Sequence, residues 1–339
     1  MIPAIFGLSG AVLTADERAF FRDADPAGYV LFGRNCENPE QLRALTDDLR
    51  SIHGRDRLLV SIDQEGGRVA RLRPPHWAHY PAGEAFDDRY RIAPASAIEA
   101  ARAGAHAMAL ELSAMGITVD YHPSLDVRQA GAHDVIGDRA LGSDPQQVAA
   151  IGRGILDGLT AGGVAGCIKH MPGHGRTTTD THHEMPTVTA SVDELESDLA
   201  PFRSLNCAPI GMTGHLLFTA WDAENPTTFS PKIIKDIIRG QIGFDGLLLT
   251  DDIDMQALEG TVPERSQRAH AAGCDIILNC WGKMDDMRGI CEVLPSMSAE
   301  IAKRLDRAIE GTKIRDDLGD QAEYLAKRDA LLAVTGEAA

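Results

Sequence analysis

Short apolar runs recur along the chain, and each closes on polar residues or glycine: Ala4 to Leu8, Tyr29 to Phe32, Leu58 to Ile62, Thr118 to Tyr121, Ala165 to Ile168, Ile210 to Thr213, Leu247 to Leu249 and Asp275 to Leu278. Runs of this length, bounded by turn residues, read as buried strands, and there are eight of them. Between them lie stretches with alanine, leucine and charges at helical spacing, among them Ala95 to Ala114, Asp144 to Ala161, Val192 to Leu205 and Pro231 to Gly240. Strand alternating with helix predicts a mostly parallel sheet with right-handed crossovers.

A closed eight-stranded barrel and an open doubly wound sheet both fit this alternation, and the strand count favours the barrel. No GxGxxG or GxxxxGK[ST] follows an early strand, so the phosphate-cradling turn of many open-sheet nucleotide binders is missing. The expectation is an α/β chain forming a single (β/α)8 TIM-type barrel over residues 1–339. From Ser298 onward one or two amphipathic helices, with Ile301, Leu305, Ile309, Leu331 and Leu332 as buried positions, are expected to cover the barrel or a subunit contact.

Barrel enzymes place their chemistry where strands end. The residues just past the candidate strands are Asn35, Asp63, His122, Lys169 with His170, His215, Asp251 and Asn279. A formal charge of −17 argues against nucleic acid as a partner, because phosphate binding needs a basic stripe. No run of about 18 apolar residues is present to span a membrane. Residues 1–15 lack the leading positive charge of a signal peptide, and Pro3, Gly7 and Gly10 interrupt their apolar run, so the start reads as the mature protein. The six cysteines form no CxxC pair and are expected to be reduced core residues of a cytoplasmic protein.

The stretch from Lys169 to His182, KHMPGHGRTTTDTH, has neither helical nor strand periodicity and is expected to be a chemistry-bearing loop. Asp180 and His182 stand two apart, on one side of an extended segment, so the carboxylate is placed to orient the imidazole and raise its pKa. That makes His182 a candidate proton donor and acceptor near neutral pH. Asp251 follows the apolar run Leu247-Leu248-Leu249-Thr250, where a rigid carboxylate suits a nucleophile, a base or a metal ligand. Its competing reading is an N-cap for a helix over Ile253 to Leu258.

His170 and His174 have a zinc-like spacing, but Pro172 and Gly173 break the helix that would pair them. A metal site from His122, His170, His182, His183 and His215 is the alternative from another class, a metal-dependent barrel hydrolase. Lys169, Arg71, Arg139 and Asp63 offer charged donors and a strong acceptor of the kind that suits sugar hydroxyls. The run from Asp63 to Arg68 turns sharply at Gly66 and Gly67, and its bland reading is a turn held by a surface ion pair between Glu65 and Arg68.

These residues resemble glycoside hydrolase family 3, specifically the bacterial β-N-acetylglucosaminidases of peptidoglycan recycling. The resemblance runs through LFGRN at Leu31–Asn35, SIDQEGGRVARL at Ser61–Leu72, IGDRALG at Ile136–Gly142, KHMPGHG at Lys169–Gly175, TDDIDM at Thr250–Met255 and AGCDIIL at Ala272–Leu278. It implies a retaining mechanism with Asp251 as nucleophile, His182 as acid and then base, and Asp180 orienting His182. Asp63, Arg71, Arg139, Lys169 and His170 match the family's binding residues for a terminal N-acetylglucosamine. The implied substrate is a GlcNAc-1,6-anhydro-MurNAc muropeptide, with no metal or organic cofactor and no obligate protein partner. The family also leaves open an N-acetylglucosaminide phosphorylase, in which phosphate replaces water.

Overall fold

The computed structural model describes residues 1–55, 57–129, 131, 136–177 and 185–333. Its strands are β1 (Ile2–Gly7), β2 (Pro26–Leu31), β3 (Leu59–Ile62), β4 (Val119–Asp120), β5 (Ala165–Met171), β6 (Thr187–Val188), β7 (Ile210–Thr213), β8 (Leu217–Phe218), β9 (Leu247–Asp252) and β10 (Ile276–Asn279). Eight of them close a barrel in the order β1-β10-β9-β7-β5-β4-β3-β2, and every pairing in it is parallel. All eight candidate strands are therefore present. The remaining pair, β6 and β8, forms a small parallel sheet outside the barrel that two-residue strands did not announce in the sequence.

Alternation along each strand sorts side chains between two cores. Ile5, Val30, Leu59, Ala165, Cys167, Leu247 and Leu249 fill the barrel interior. Their neighbours Phe6, Tyr29, Leu31, Val60, Ile168 and Leu248 face outward onto the helices. The helix Ala299–Ile309 brings Ile301, Leu305, Ala308 and Ile309 to the interior cluster, and Met297 N–H donates to Met1 O at 2.9 Å beside it. The tail thus covers the end of the barrel where the strands begin. A final helix, Gln321–Ala333, lies on the outer layer with Leu331 and Leu332 partly buried.

The expected helices are present at Pro94–Ala114, Pro145–Gly162 and Val192–Ser204, and the segment expected at Pro231 to Gly240 is a π-helix over Ile233–Gln241. Their starts follow capping chemistry: Asp144 accepts from Gln146 N–H, and Ser191 with Glu194 forms a reciprocal capping box. Two expectations need correction. Lys169, His170 and Met171 are not loop residues but the end of β5. The helix after Asp251 does not open at Ile253; the next one starts at Val262, capped by Thr261, so Asp251 is no N-cap. All six cysteines are free, and Cys207 is exposed rather than in the core.

Candidate active site

The same alternation that builds the interior also aims the polar groups. Leu247, Leu249 and Asp251 share one face of β9, so when the strand reaches the mouth of the barrel its interior position passes from leucine to carboxylate. Ala165, Cys167 and Lys169 repeat this on β5. Asp63 extends the interior face of Leu59 and Ser61 just beyond β3. These exits meet around a cleft with a cavity volume of about 280 Å³, lined among others by Asp63, Arg71, Arg139, Lys169, His170 and Asp251.

Asp63, Arg71, Arg139 and Lys169 are tied into one charged network by a residue that sequence spacing assigned elsewhere. Lys169 Nζ donates to Asp63 Oδ1 at 2.8 Å and pairs with Glu65 Oε1 at 2.7 Å. Arg71 holds the other oxygen of Asp63 at 3.0 Å. Arg139 grips Glu65 with two donors, at 2.8 and 2.9 Å, the fork geometry that guanidinium and carboxylate share. Glu65 is buried and makes no surface pair with Arg68, whose partner is Asp138 at 2.6 Å. The turn before it does need glycine, since Gly66 and Gly67 have φ of 96° and 55°.

The electrostatics follow from these pairings. Burial works to raise the pKa of Asp63, but Lys169 and Arg71 outweigh it and hold the carboxyl below its ordinary value. Burial is opposed in the same way at Glu65, which Arg139 and Lys169 hold well below the usual range. Lys169, desolvated yet flanked by two carboxylates, is held firmly protonated.

Asp251 sits across the cleft with its Oδ1 accepting from Asp252 N–H at 2.8 Å. Its Oδ2 stands 4.0 Å from His170 Nε2. Burial would raise its pKa, but His170, His215, the Asp252 N–H and Lys169 bring it below the ordinary carboxylate value, so it is ionised at neutral pH. An anchored, ionised and accessible carboxylate has the properties of a nucleophile.

His170 is itself fixed from behind. Its Nδ1 lies 2.7 Å from Asp126 Oδ2, and Asp126 also accepts from the backbone N–H groups of His170 and His174, at 3.2 and 2.7 Å, and from Ser124 Oγ at 2.9 Å. Asp126 and Glu65 are the positioning groups the sequence did not reveal. Both act across long sequence separations, and only DVR at Asp126–Arg128, a polar step soon after β4, hinted at the first.

Asp180 and His182 lie outside the described residues. Among the described residues no three histidine, cysteine or carboxylate side chains gather as metal ligands. Of the histidines in the metal alternative, His215 has its Nδ1 2.7 Å from Thr228 Oγ1 and its Nε2 3.0 Å from the Asp252 carbonyl, so neither nitrogen is open. Burial lowers the pKa of His122 to about 4, leaving it neutral. His183 is outside the described residues.

Comparison with known proteins agrees with this geometry. The model of the glycosyl hydrolase family 3 N-terminal domain matches residues 9–310. The chain belongs to glycosyl hydrolase family 3. It is a glycosidase by that membership, and its barrel is the family's fold. A beta-hexosaminidase of Bordetella avium is 37% identical over 283 residues, covering 82% of this chain and 80% of that protein. NagZ from Neisseria gonorrhoeae, solved native and in complex with N-trifluoroacetyl-D-glucosamine, superposes in both forms with a TM-score of 0.88 at 30% identity, covering 98% of each chain. No described helix of the family 3 chain is long and apolar enough to cross a membrane.

Proposed function

We propose that this chain is an exo-acting, retaining β-N-acetylglucosaminidase. Asp251 Oδ2 attacks the anomeric carbon of a terminal non-reducing N-acetylglucosamine as the bond from that carbon to the leaving oxygen breaks, giving a glycosyl-aspartate. His182 donates the proton that the leaving oxygen takes up, with Asp180 orienting its ring and stabilising the imidazolium. In the second half water gives a proton back to His182, bonds to the anomeric carbon and frees the Asp251 carboxylate. The separation from nucleophile to acid/base is then not fixed by two rigid carboxylates about 5 to 5.5 Å apart, as it is in most retaining enzymes.

The observation that carries this reading is the ionised Asp251 at the rim of β9, facing a charged network that suits several sugar hydroxyls at once. Asp63, Arg71, Arg139, Lys169 and His170 are assigned to binding that sugar. The names of the relatives support the amino-sugar preference, and a fold neighbour solved with N-trifluoroacetyl-D-glucosamine supports the choice of ring. The proposed substrate is GlcNAc-1,6-anhydro-MurNAc with its peptide, handled in the cytoplasm during peptidoglycan recycling, by residues 1–339 acting as one barrel unit with its terminal helices.

Incubation with a 5-fluoro analogue of an activated N-acetylglucosaminide, which keeps the 2-acetamido group, followed by peptide mass analysis, tests the covalent step. The label is expected on the peptide containing Asp251. A label on another carboxylate, or none while the analogue is being turned over, overturns the assignment.

A further inference from the structure

The segment from Ala78 to Ala82 belongs to no helix or strand, yet it backs the charged network on two sides. Gly67 N–H donates to Tyr80 O at 2.9 Å, and a Cβ on Gly66 meets Pro81 O, so the turn that carries Glu65 lies directly on this segment. The next residue, Gly83, is as close to Arg139, whose backbone O a Cβ there would meet. One short stretch therefore seats both members of the Glu65–Arg139 pair.

An irregular segment keeps its shape through partners elsewhere in the fold, and three successive residues here have one each. Ala78 N–H donates to Glu111 Oε1 at 3.0 Å, His79 O accepts from a terminal nitrogen of Arg328 at 3.1 Å, and Tyr80 Oη accepts from Gln321 Nε2 at 3.2 Å. The same Gln321 nitrogen also donates to Glu111 Oε1 at 3.1 Å. Arg328 sets its guanidinium 5.5 Å from the Tyr80 ring centre. Both donors come from the final helix, Gln321–Ala333, none of whose residues lines the cleft.

A helix that only sealed the outer layer would bury its apolar side chains. This one buries Gln321 and Arg328 and leaves Leu331 and Leu332 partly covered. Buried polar groups cost stability unless each is bonded, and both of these are bonded to the same three-residue stretch. Arg328 crosses Gly104, where a Cβ would stand 3.0 Å from its Cδ, and reaches a small cavity that Tyr80, His122 and Glu65 also line.

We infer that Gln321 and Arg328 are positioning residues of the active site: they fix Tyr80 and its neighbours, which seat the turn of Glu65 and so the placement of Lys169 and Arg139. This rests on the proposed glycosidase reading and extends it to a helix outside the cleft.

The test is a mutant cycle between Arg328→Met, which keeps much of the stem and removes the donors, and Glu65→Gln. Arg328→Met alone is expected to lower kcat/KM for an aryl N-acetylglucosaminide by about tenfold, mostly through KM, because the displaced cations bind the sugar. In the Glu65→Gln protein the same change lowers it by less than about twofold, since its route runs through Glu65. Lys327→Met is the control, on the same helix but in an exposed pair with Glu99, and it leaves kcat/KM unchanged. Tyr80→Phe deletes one hydroxyl, is expected to lower kcat/KM about threefold, and decides the matter if Arg328→Met does not fold.

Hydrogen exchange gives a readout without turnover. Exchange at Gly67 N–H is expected to rise about tenfold or more in Arg328→Met and to stay at the wild-type rate in Lys327→Met. Wild-type kcat/KM in a folded Arg328→Met or in Tyr80→Phe, a loss that multiplies with that of Glu65→Gln, or unaltered exchange at Gly67 overturns the inference. Failure of the wild type to cleave an aryl N-acetylglucosaminide sinks the glycosidase reading instead, and the exchange measurement then still decides whether the helix holds the turn.

Discussion

Replacing Glu65 with glutamine is the sharpest test of the charged network, because the change keeps the shape of the side chain and removes its charge. Glu65 holds Lys169 at 2.7 Å and Arg139 at 2.8 and 2.9 Å, with side-chain exposures of 4% for Glu65, 2% for Lys169 and 13% for Arg139. Removing one partner of such a buried group costs about 3–5 kcal/mol, because the other charge is stranded. Lys169 keeps Asp63 at 2.8 Å and glutamine keeps one acceptor, so the expected cost sits at the low end. At about 2 °C per kcal/mol for a chain of this size, 3 kcal/mol lowers Tm by roughly 6 °C.

The kinetic effect comes from misplaced cations rather than lost contact with the reacting atoms, and a fall in kcat/KM of about 10²-fold is expected. Acid titration adds a signed check. The Glu65 carboxyl is depressed in the folded protein, so its stabilisation is present above its ordinary value of 4.5 and is lost as pH falls through the folded value. The stability gap between wild type and Glu65→Gln is therefore widest near neutral pH and closes in acid. Thermal unfolding by circular dichroism and turnover of an aryl N-acetylglucosaminide measure both effects. A Tm change under about 1 °C with kcat/KM within about threefold, the behaviour of a surface substitution, refutes the reasoning.

Further outcomes follow from the same geometry. Asp251→Ala is expected to reduce hydrolysis of an aryl N-acetylglucosaminide by a factor on the order of 10⁴ or more, and substantial residual turnover removes Asp251 from the mechanism. Asp126→Asn leaves His170 without its anionic anchor and lowers kcat by about 10²-fold; an unchanged kcat means the ring is held by packing alone. The Asp252 carboxyl is raised by burial from 3.8 to about 6, so wild type loses stability relative to Asp252→Asn as pH rises through that window, and parallel denaturation curves at pH 4 and pH 7 contradict this. Inorganic phosphate is expected to leave the rate of N-acetylglucosamine release unchanged, and a sugar phosphate among the products moves the assignment to phosphorolysis.

The barrel was legible because each interior strand face is a local record. Two-residue alternation within Leu247 to Leu249 already determines that Asp251 continues the inward face, and the same counting places Lys169 after Cys167. What escaped was whatever depends on distant partners. Glu65 reads as half of a local ion pair with Arg68, yet its partners lie 74 and 104 residues away, at Arg139 and Lys169. Asp126 faces His170 from 44 residues back. In the sequence the end of β5 reads as loop because Lys169 and His170 are polar, but polarity at a barrel mouth marks the site rather than the end of the strand. Asp180 and His182 stand out by spacing and family likeness, and they lie outside the described residues.

Among the described residues, the helix Ala299–Ile309 sits on the interior cluster where the strands begin and leaves the cleft to open at the strand ends. On the proposed reading, a sugar that enters at that end also leaves by it, against the inward traffic of the next molecule. On the proposed exo-acting reading, long chains offer such a well only their tips. On the same reading, free monosaccharide is expected to compete for that entrance.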